Sequence, residues 1–504
     1  DIRNGEGLAF IDPHGGTVDK LLDYIPEHRI KDVVYFAPFD LENPIAFNIM
    51  EDVGYDKRHL VVSGLMAAFK KIWVDAWSAR MEYILTNTLL ALLEYPDATL
   101  LGVNRMYTDK GYRKKVVENI KDPVVKDFWV KEFATYTDRY TQEATPAIQN
   151  KIGQFTSNPL IRNIIGQPKS SFDIRTLMDE KKILIINLSK GLVGDTNTQL
   201  LGSMLTTRIF LAAMSRAESS ASELARLPNF YFYVDEFQNF ANETFAEILS
   251  EARKYKLNLI IAHQYIEQME EEVRDAVFGN VGTTVAFRVG PFDAETLETV
   301  FTPEFLQEDL VNLGFAQIYL TLMIDGIGSR PFSAVTIAPI EPPAHPFRRE
   351  VVEASRTVFA AKRALIEEAI ISELALAHEE PTAKPVARSS EYGNGKKYPP
   401  KNRQPEKKPQ SQPQSQSQTP QNNTPPAVDL RAAIQAITKQ TQEVQEKVQD
   451  MQSKALKETV TQVAHTSVPQ ADTQPVPPVP EHAGRHAFEV PKESLEALFK
   501  ESAS

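Results

Sequence analysis

The sequence predicts an α/β fold built on a parallel sheet, and three observations carry that prediction. One is an apolar run that ends in paired carboxylates, the next is the strand–helix–strand crossover behind it, and the third is a long helical stretch lying upstream between strand patterns. The run is Phe230-Tyr-Phe-Tyr-Val-Asp-Glu-Phe237. A segment apolar on both faces fits a strand buried in a parallel sheet, and such sheets present their chemistry at the carboxyl ends of strands. Asp235 and Glu236 sit at that end. There Asp235 can hold Mg²⁺, directly or through water, and Glu236 can polarise an attacking water, the division of labour in phosphoryl transfer. Two adjacent carboxylates also simply end many strands, so the pattern around them decides between the readings.

The crossover follows at once. Asn242 can cap a helix whose Phe245, Ile248, Leu249, Ala252 and Tyr255 share one face. Leu257-Asn-Leu-Ile-Ile-Ala262 then reads as a second buried strand, ending in His263-Gln264. Gln264 is expected beside Asp235 at the sheet edge, where an amide can sense a terminal phosphate and orient water. Arg253 and Lys254 close the helix between the strands. A cation there complements the helix dipole, which is the preferred reading for Lys254. Arg253 has a sharper candidate role, as a finger reaching into a neighbouring subunit's site.

The strings VDEFQNF, SEARKY and IIAHQY, in that order, closely resemble the motor domain of TraG/TraD-type conjugative coupling proteins of the HerA/FtsK superfamily. The similarity spans most of residues 1–345. Gly7-Leu-Ala-Phe-Ile-Asp-Pro-His-Gly15 resembles the strand and DPHG loop that follow that family's phosphate-binding helix. Lys182 to Gly191 is similar to the strand before its regulatory loop, with Leu201-Gly-Ser203 opening the helix beyond. Thr284 to Gly290, Asp293-Ala-Glu295 and Asp325 to Ala334 continue the pattern.

The resemblance implies a RecA-like P-loop NTPase motor with an inserted all-α domain, using ATP and Mg²⁺. It implies a homo-hexameric ring that moves DNA, single-stranded or linked to a relaxase, with relaxase and secretion-channel proteins as partners. Asp235 is then the metal-binding acid, Glu236 and Gln264 are catalytic, and Arg253 acts in trans. The expected setting is the cytoplasm, at the cytoplasmic face of the bacterial inner membrane. A HerA-like repair or packaging motor and a non-hydrolysing scaffold that kept the motor fold are the alternatives.

One departure from the family is large. Its phosphate loop, G-x-x-x-x-G-K-[ST], wraps backbone amides around phosphates and supplies a Lys and a Mg²⁺-binding hydroxyl. No such motif occurs in the 504 residues, and Gly393-Asn-Gly-Lys-Lys397 only imitates it within a polar tail. The expectation is a carboxyl-terminal part of a longer protein, whose phosphate loop and any membrane anchor precede Asp1.

Two loops add candidates. Asp12 ends a buried run as Asp235 does, so it is expected to face the nucleotide and help order Mg²⁺ or water. His14 reads as a loop hydrogen-bonder, and Gly15-Gly16 allow a tight turn. Lys190, in Ser189-Lys190-Gly191, is the preferred DNA-contact candidate, with a solvated loop lysine as the plain alternative.

Composition fits a machine part rather than an indiscriminate nucleic-acid binder. The net charge is −12, although a DNA-lined channel needs only local Lys and Arg. There are no cysteines, which excludes disulfides and thiolate metal sites. No apolar run approaches the roughly 18 residues that indicate a membrane span.

The expected domain order runs as follows. Residues 1–55 begin the motor, 56–165 form the inserted helical domain, and 166–345 complete the motor. In the insertion, Tyr112-Arg113, Phe128 to Phe133, Tyr136 and Arg139-Tyr140 mix aromatics with cations. Such a mixture can stack on single-stranded DNA, but packing is the preferred reading at helical spacing. A single helix is expected from Arg348 through Leu376, within a helical extension spanning 346–380. The stretch 381–427 is a disordered Pro/Gln-rich linker by composition. Leu430, Ile434, Ile437, Thr441, Val444, Val448, Met451 and Ala455 lay out a short coiled-coil or partner-binding seam within 428–458. A disordered tail, 459–504, carries a short terminal helix.

Overall fold

The computed structural model describes residues 1–137, 140, 144–241 and 243–375. Asn242, Arg139 and the expected linker, coiled-coil and tail segments lie outside them.

Five strands form one parallel sheet: β1 (Gly7–Asp12), β2 (Val33–Phe36), β3 (Ile183–Asn187), β4 (Phe230–Val234) and β5 (Leu257–Ile261), in the order β2-β3-β1-β4-β5. Their residues explain the choice. All of Ile183–Asn187 is buried, as a central strand covered on both faces requires. On β4, Phe230, Phe232 and Val234 are buried in the main core, while Tyr231 and Tyr233 pack against a smaller cluster that contains Ile183, Ile185 and Val351. Burying one such side chain stabilises by roughly 1.5–3 kcal/mol.

Arg216, fully buried, sets where β4 and β5 begin. Its Nη1 donates to the Pro228 carbonyl at 3.1 Å and the Tyr255 carbonyl at 3.0 Å, and Asp179 receives its Nη2 at 2.8 Å. One guanidinium therefore registers the two strands that carry the acids and the amide.

Between β2 and β3 the regular structure among the described residues is helical. Helix α1 (Gly16–Leu21) has already followed β1; α2 (Arg58–Ile72) and α3 (Ala79–Leu93) open the stretch, which closes with Pro146–Thr156, Pro159–Ile165 and Ile174–Asp179. Val61, Val62, Leu65, Met66, Ala68 and Phe69 bury one broad side of α2. Gly64 lets α2 lie close against the helix Asp195–Met214, because a Cβ there would overlap the Thr207 side chain. The aromatic and basic segment packs on itself. Ring centroids are 4.6 Å apart for Trp129–Phe133 and 4.5 Å for Tyr136–Tyr140, and Arg113 covers Phe133.

Beyond β5, β6 (Thr284–Ala286) and β7 (Gln317–Thr321) are joined by β8 (Met323–Ile324), β9 (Ile327–Gly328) and β10 (Phe332–Val335). They make an antiparallel sheet ordered β10-β7-β6 and the separate hairpin β8-β9. In place of one helix over Arg348–Leu376, two helices form, Arg348–Phe359 and Arg363–Ala375. The reason is a local pairing: Ala360 bridges Ile45, the Ala361 amide donates to the Pro44 carbonyl, and the Arg363 amide donates to the Glu42 carbonyl.

Candidate active site

Register brings the candidate residues to one edge. Ile11 lies level with Ile186 and Val234, and Val234 with Ile261, so the chain leaves four adjacent parallel strands at one height. Amides extend the alignment past the strands: Asp235 N–H to the Ile11 carbonyl at 3.0 Å, Ala262 N–H to Val234 at 2.9 Å, and Phe237 N–H to Ala262 at 2.8 Å. Asp235, Glu236 and the residues after β5 thus meet because parallel hydrogen bonding continues beyond Val234.

Asp235 is half-buried. One of its oxygens accepts the Glu236 N–H at 3.0 Å, and the other has no protein donor among the described residues. Burial first, then the Asp12 and Glu236 carboxylates, raise its pKa above the usual aspartate value. The fold leaves its charge uncompensated, an arrangement that suits a cation ligand.

Glu236 is buried, at 6% exposure, and adopts a left-handed backbone conformation with φ 48°. That conformation costs a non-glycine residue roughly 1–2 kcal/mol, so neighbours must hold it. They do. Gln264 Nε2 donates to Oε1, Gln238 Nε2 donates to Oε2 at 2.6 Å, and Asn239 Nδ2 donates to the Glu236 carbonyl at 2.9 Å. An ionised carboxylate offers about four lone-pair sites, so the two amide bonds leave room for a water. His14, well exposed, sits with Nε2 3.9 Å from Glu236 Oε1.

Gln238 and Asn239 were missed as partners of Glu236 in the sequence. Their sign was the spacing of Phe237 and Phe240: two phenyl rings three residues apart fit a 3-10 turn with both rings inward and the intervening amides turned to the site.

Asp12 has a different part from the nucleotide-facing one expected of it. Its Oδ1 accepts the His14 and Gly15 amides at 2.7 and 2.8 Å, and its Oδ2 accepts the Thr17 and Val18 amides at 2.9 and 3.2 Å. Four donors fill the carboxylate, which is 1% exposed, so it shapes the DPHG loop and satisfies the orphan amides at the start of α1. Gly15 completes the loop at φ 82°, against the Asn187 side chain, where a Cβ has no room.

Lys190 turns inward. Its Nζ donates to Asn239 Oδ1 at 2.6 Å and pairs with Asp195 at 3.0 Å, which leaves it bound to the turn after Glu236 instead of projecting outward. Arg253 is exposed and its side chain has no hydrogen bond or ion pair among the described residues. Lys254 instead pairs with Glu251 at 2.7 Å.

Beside this edge lies a cavity of about 1020 Å³ between the free edge of β5 and β6. Ile260, His263, Gln264, Val285 and Phe287 help line it, whereas Asp235 and Glu236 do not. Burial lowers the His263 pKa, and its Nδ1 is buried without a hydrogen-bond partner among the described residues.

Residues 229–300 match the family described as the TraM recognition site of TraD and TraG. The match contains Asp235, Glu236, Arg253 and Gln264. No curated protein matches the chain by sequence. Among solved structures, the bacterial conjugative coupling protein TrwBΔN70 in its unbound form is similar at 11% identity and a TM-score of 0.46, over 69% of this chain and 80% of that one. The plasmid coupling protein TrwB with a non-hydrolysable ATP analogue is similar at 12% identity and a TM-score of 0.47, over 68% and 81%. VirB4 of Thermoanaerobacter pseudethanolicus is similar at 13% identity and a TM-score of 0.37, over 69% and 84%.

A parallel sheet with acids at its carboxyl edge and helices inserted beside it defines the class: an α/β fold whose site lies at the strand tips. The matched segment narrows the resemblance: over residues 229–300 the chain is similar to the TraD and TraG proteins.

Proposed function

We propose that this chain is the hydrolytic portion of an ATP-driven coupling protein that moves DNA in conjugation or type IV secretion. One observation carries the reading: Glu236, strained and buried, is clasped by Gln264 and Gln238 beside an Asp235 whose second oxygen has no protein donor among the described residues.

The residues fit Mg²⁺ as far as a single carboxylate can. Among the described residues no cluster of three or more His, Cys, Asp or Glu could enclose a metal. Mg²⁺ in phosphoryl-transfer sites commonly takes one or two carboxylates, with water and phosphate oxygens completing the shell. Asp235 Oδ2 is the atom offered. Among the described residues no phosphate cradle accompanies it. Mg²⁺–ATP, when bound, would supply the scissile phosphoanhydride and the neutralising cation.

Glu236 orients a water through its remaining lone pairs and accepts its proton at Oε1 or Oε2. Gln264 holds Oε1 and changes partner when a phosphate oxygen competes for its amide. Asp12 keeps the neighbouring loop in shape. Arg253, exposed and unpaired, is the residue for a neighbouring subunit's site in a homo-hexameric ring, and this part of the reading rests on the family resemblance. The segment 229–300 also brings a TraM-like partner into the proposal, through the description of its family, alongside relaxase and channel proteins.

No helix among the described residues is long and apolar enough to cross a membrane. Glu236→Gln in the complete gene product tests the proposal. Retained nucleotide binding with lost hydrolysis supports it, and unchanged turnover rejects it.

A further inference from the structure

Lys71 stands in the last turn of α2, in the helical stretch between β2 and β3 and far in sequence from the site. Its Nζ donates to the Gln238 carbonyl at 2.7 Å and also to the Ala241 carbonyl. Those carbonyls belong to the turn that hangs from Glu236. Among the described residues, these are the hydrogen bonds that join the helices between β2 and β3 to that turn. Burial pulls the Lys71 pKa down to about 8, with the Glu270 carboxylate pulling the other way. A lysine is kept in such a place only where its donors are used.

The geometry points to a positioning role: we propose that Lys71 transmits the placement of the helical region to Glu236 by holding the carbonyls of Gln238 and Ala241. The turn has few ways to relax. Phe237 and Phe240 are fully buried, Phe240 is seated directly on Gly202, and Lys190 grips Asn239 from the sheet side. Gln238 is held at both ends, by Lys71 on its carbonyl and through its own Nε2 on Glu236 Oε2 at 2.6 Å. A shift of α2 along its axis therefore displaces the amide that orients the catalytic carboxylate. The turn is a bridge with one lysine on each bank, and only the Lys71 bank belongs to the helical region. If that region engages cargo, its movement reaches Glu236 through this contact.

The role as a control on turnover rests on the hydrolytic reading of Glu236, while the mechanical link does not. Lys71→Met, which keeps the stem and removes the donors, and Lys71→Arg, which restores donors, are compared with the wild type in the complete gene product. Expected for Lys71→Met are an unchanged KM for ATP and a kcat lower by about ten- to a hundred-fold. Amide exchange should quicken at residues 237–241 while β4 and the middle of α2 keep wild-type protection, and Lys71→Arg should recover most of both losses. Wild-type kcat and exchange in Lys71→Met overturn the proposal. So does quickened exchange spread evenly over α2 and β4, since that is the mark of a merely structural contact. If the wild type itself hydrolyses nothing, the hydrolytic reading fails and the exchange comparison alone decides the link. Should Lys71→Met not fold, Lys71→Leu, which likewise has no donor, is read by the same outcomes.

Discussion

Gln264 Nε2 donates to Glu236 Oε1 across the tips of β4 and β5, joining two residues 28 positions apart at one edge of the sheet. The contact exists because Val234 and Ile261 are in register and the Phe237 amide continues the ladder to Ala262. An amide in this place holds the acid in one orientation.

Gln264→Ala removes that orientation without removing the acid. Turnover by the complete gene product is expected to fall by about ten- to a hundred-fold with little change in KM. Combined with Glu236→Gln, it should add almost nothing further, because residues acting as a unit are not additive. Steady-state kinetics on the two single variants and the double variant check this.

Asp235→Asn is expected to stabilise the fold while abolishing Mg²⁺-dependent activity. The Asp235 pKa is raised in the fold by burial and by Asp12 and Glu236, so ionised Asp235 works against folding. For a group with a raised folded pKa, the favourable contribution is full below the ordinary value of 3.8 and is lost as pH rises through the folded value. Asparagine, uncharged throughout, should therefore melt higher than the wild type near neutral pH, and the gap should close as pH falls below about 4. Melting curves across that range are the measurement. Such a gain on losing a functional charge is the usual trade between stability and activity.

Asp12→Asn separates a loop-shaping role from a nucleotide-contacting one. Asparagine offers one acceptor oxygen where the carboxylate serves four amides, so buried donors are left unmet. A loss of about 2–3 kcal/mol is expected in denaturant unfolding. Nucleotide affinity of the folded protein should be unchanged. A large affinity loss at wild-type stability would return Asp12 to the nucleotide.

Arg216→Met should be the most damaging of these substitutions to the fold. It leaves Asp179 and the Pro228 and Tyr255 carbonyls without their buried cation, which typically costs about 3–5 kcal/mol. Urea unfolding that shows less than about 1 kcal/mol would mean the strands find their register without it.

The strand tips were legible in the sequence because their signals are local. Apolar runs predict β1, β4 and β5, the family resemblance adds β3, and a parallel sheet sends whatever follows each run to one edge, so the placement of Asp235, Glu236 and Gln264 could be read from the chain, although β5, expected as buried, is an edge strand with Ile260 exposed. What could not be read depends on how full each polar group is. Asp12 and Asp235 look alike as acids ending buried runs, yet four amides consume the former and one amide the latter. Lys190 looked like an outward lysine until Asn239 and Asp195 were seen beside it. The contact of Lys71 with a turn 167 residues away leaves no local trace at all. The helix break at Ala360 has the same origin, since helix propensity over 348–376 carries no information about Ile45.

Hydrolysis by the Glu236→Gln variant of the complete gene product, measured beside nucleotide binding, tests the central claim most directly. The account predicts binding at wild-type affinity and turnover lower by about a hundred- to ten-thousand-fold. Turnover equal to wild type would show that the acid clasped by Gln264 and Gln238 does no chemistry.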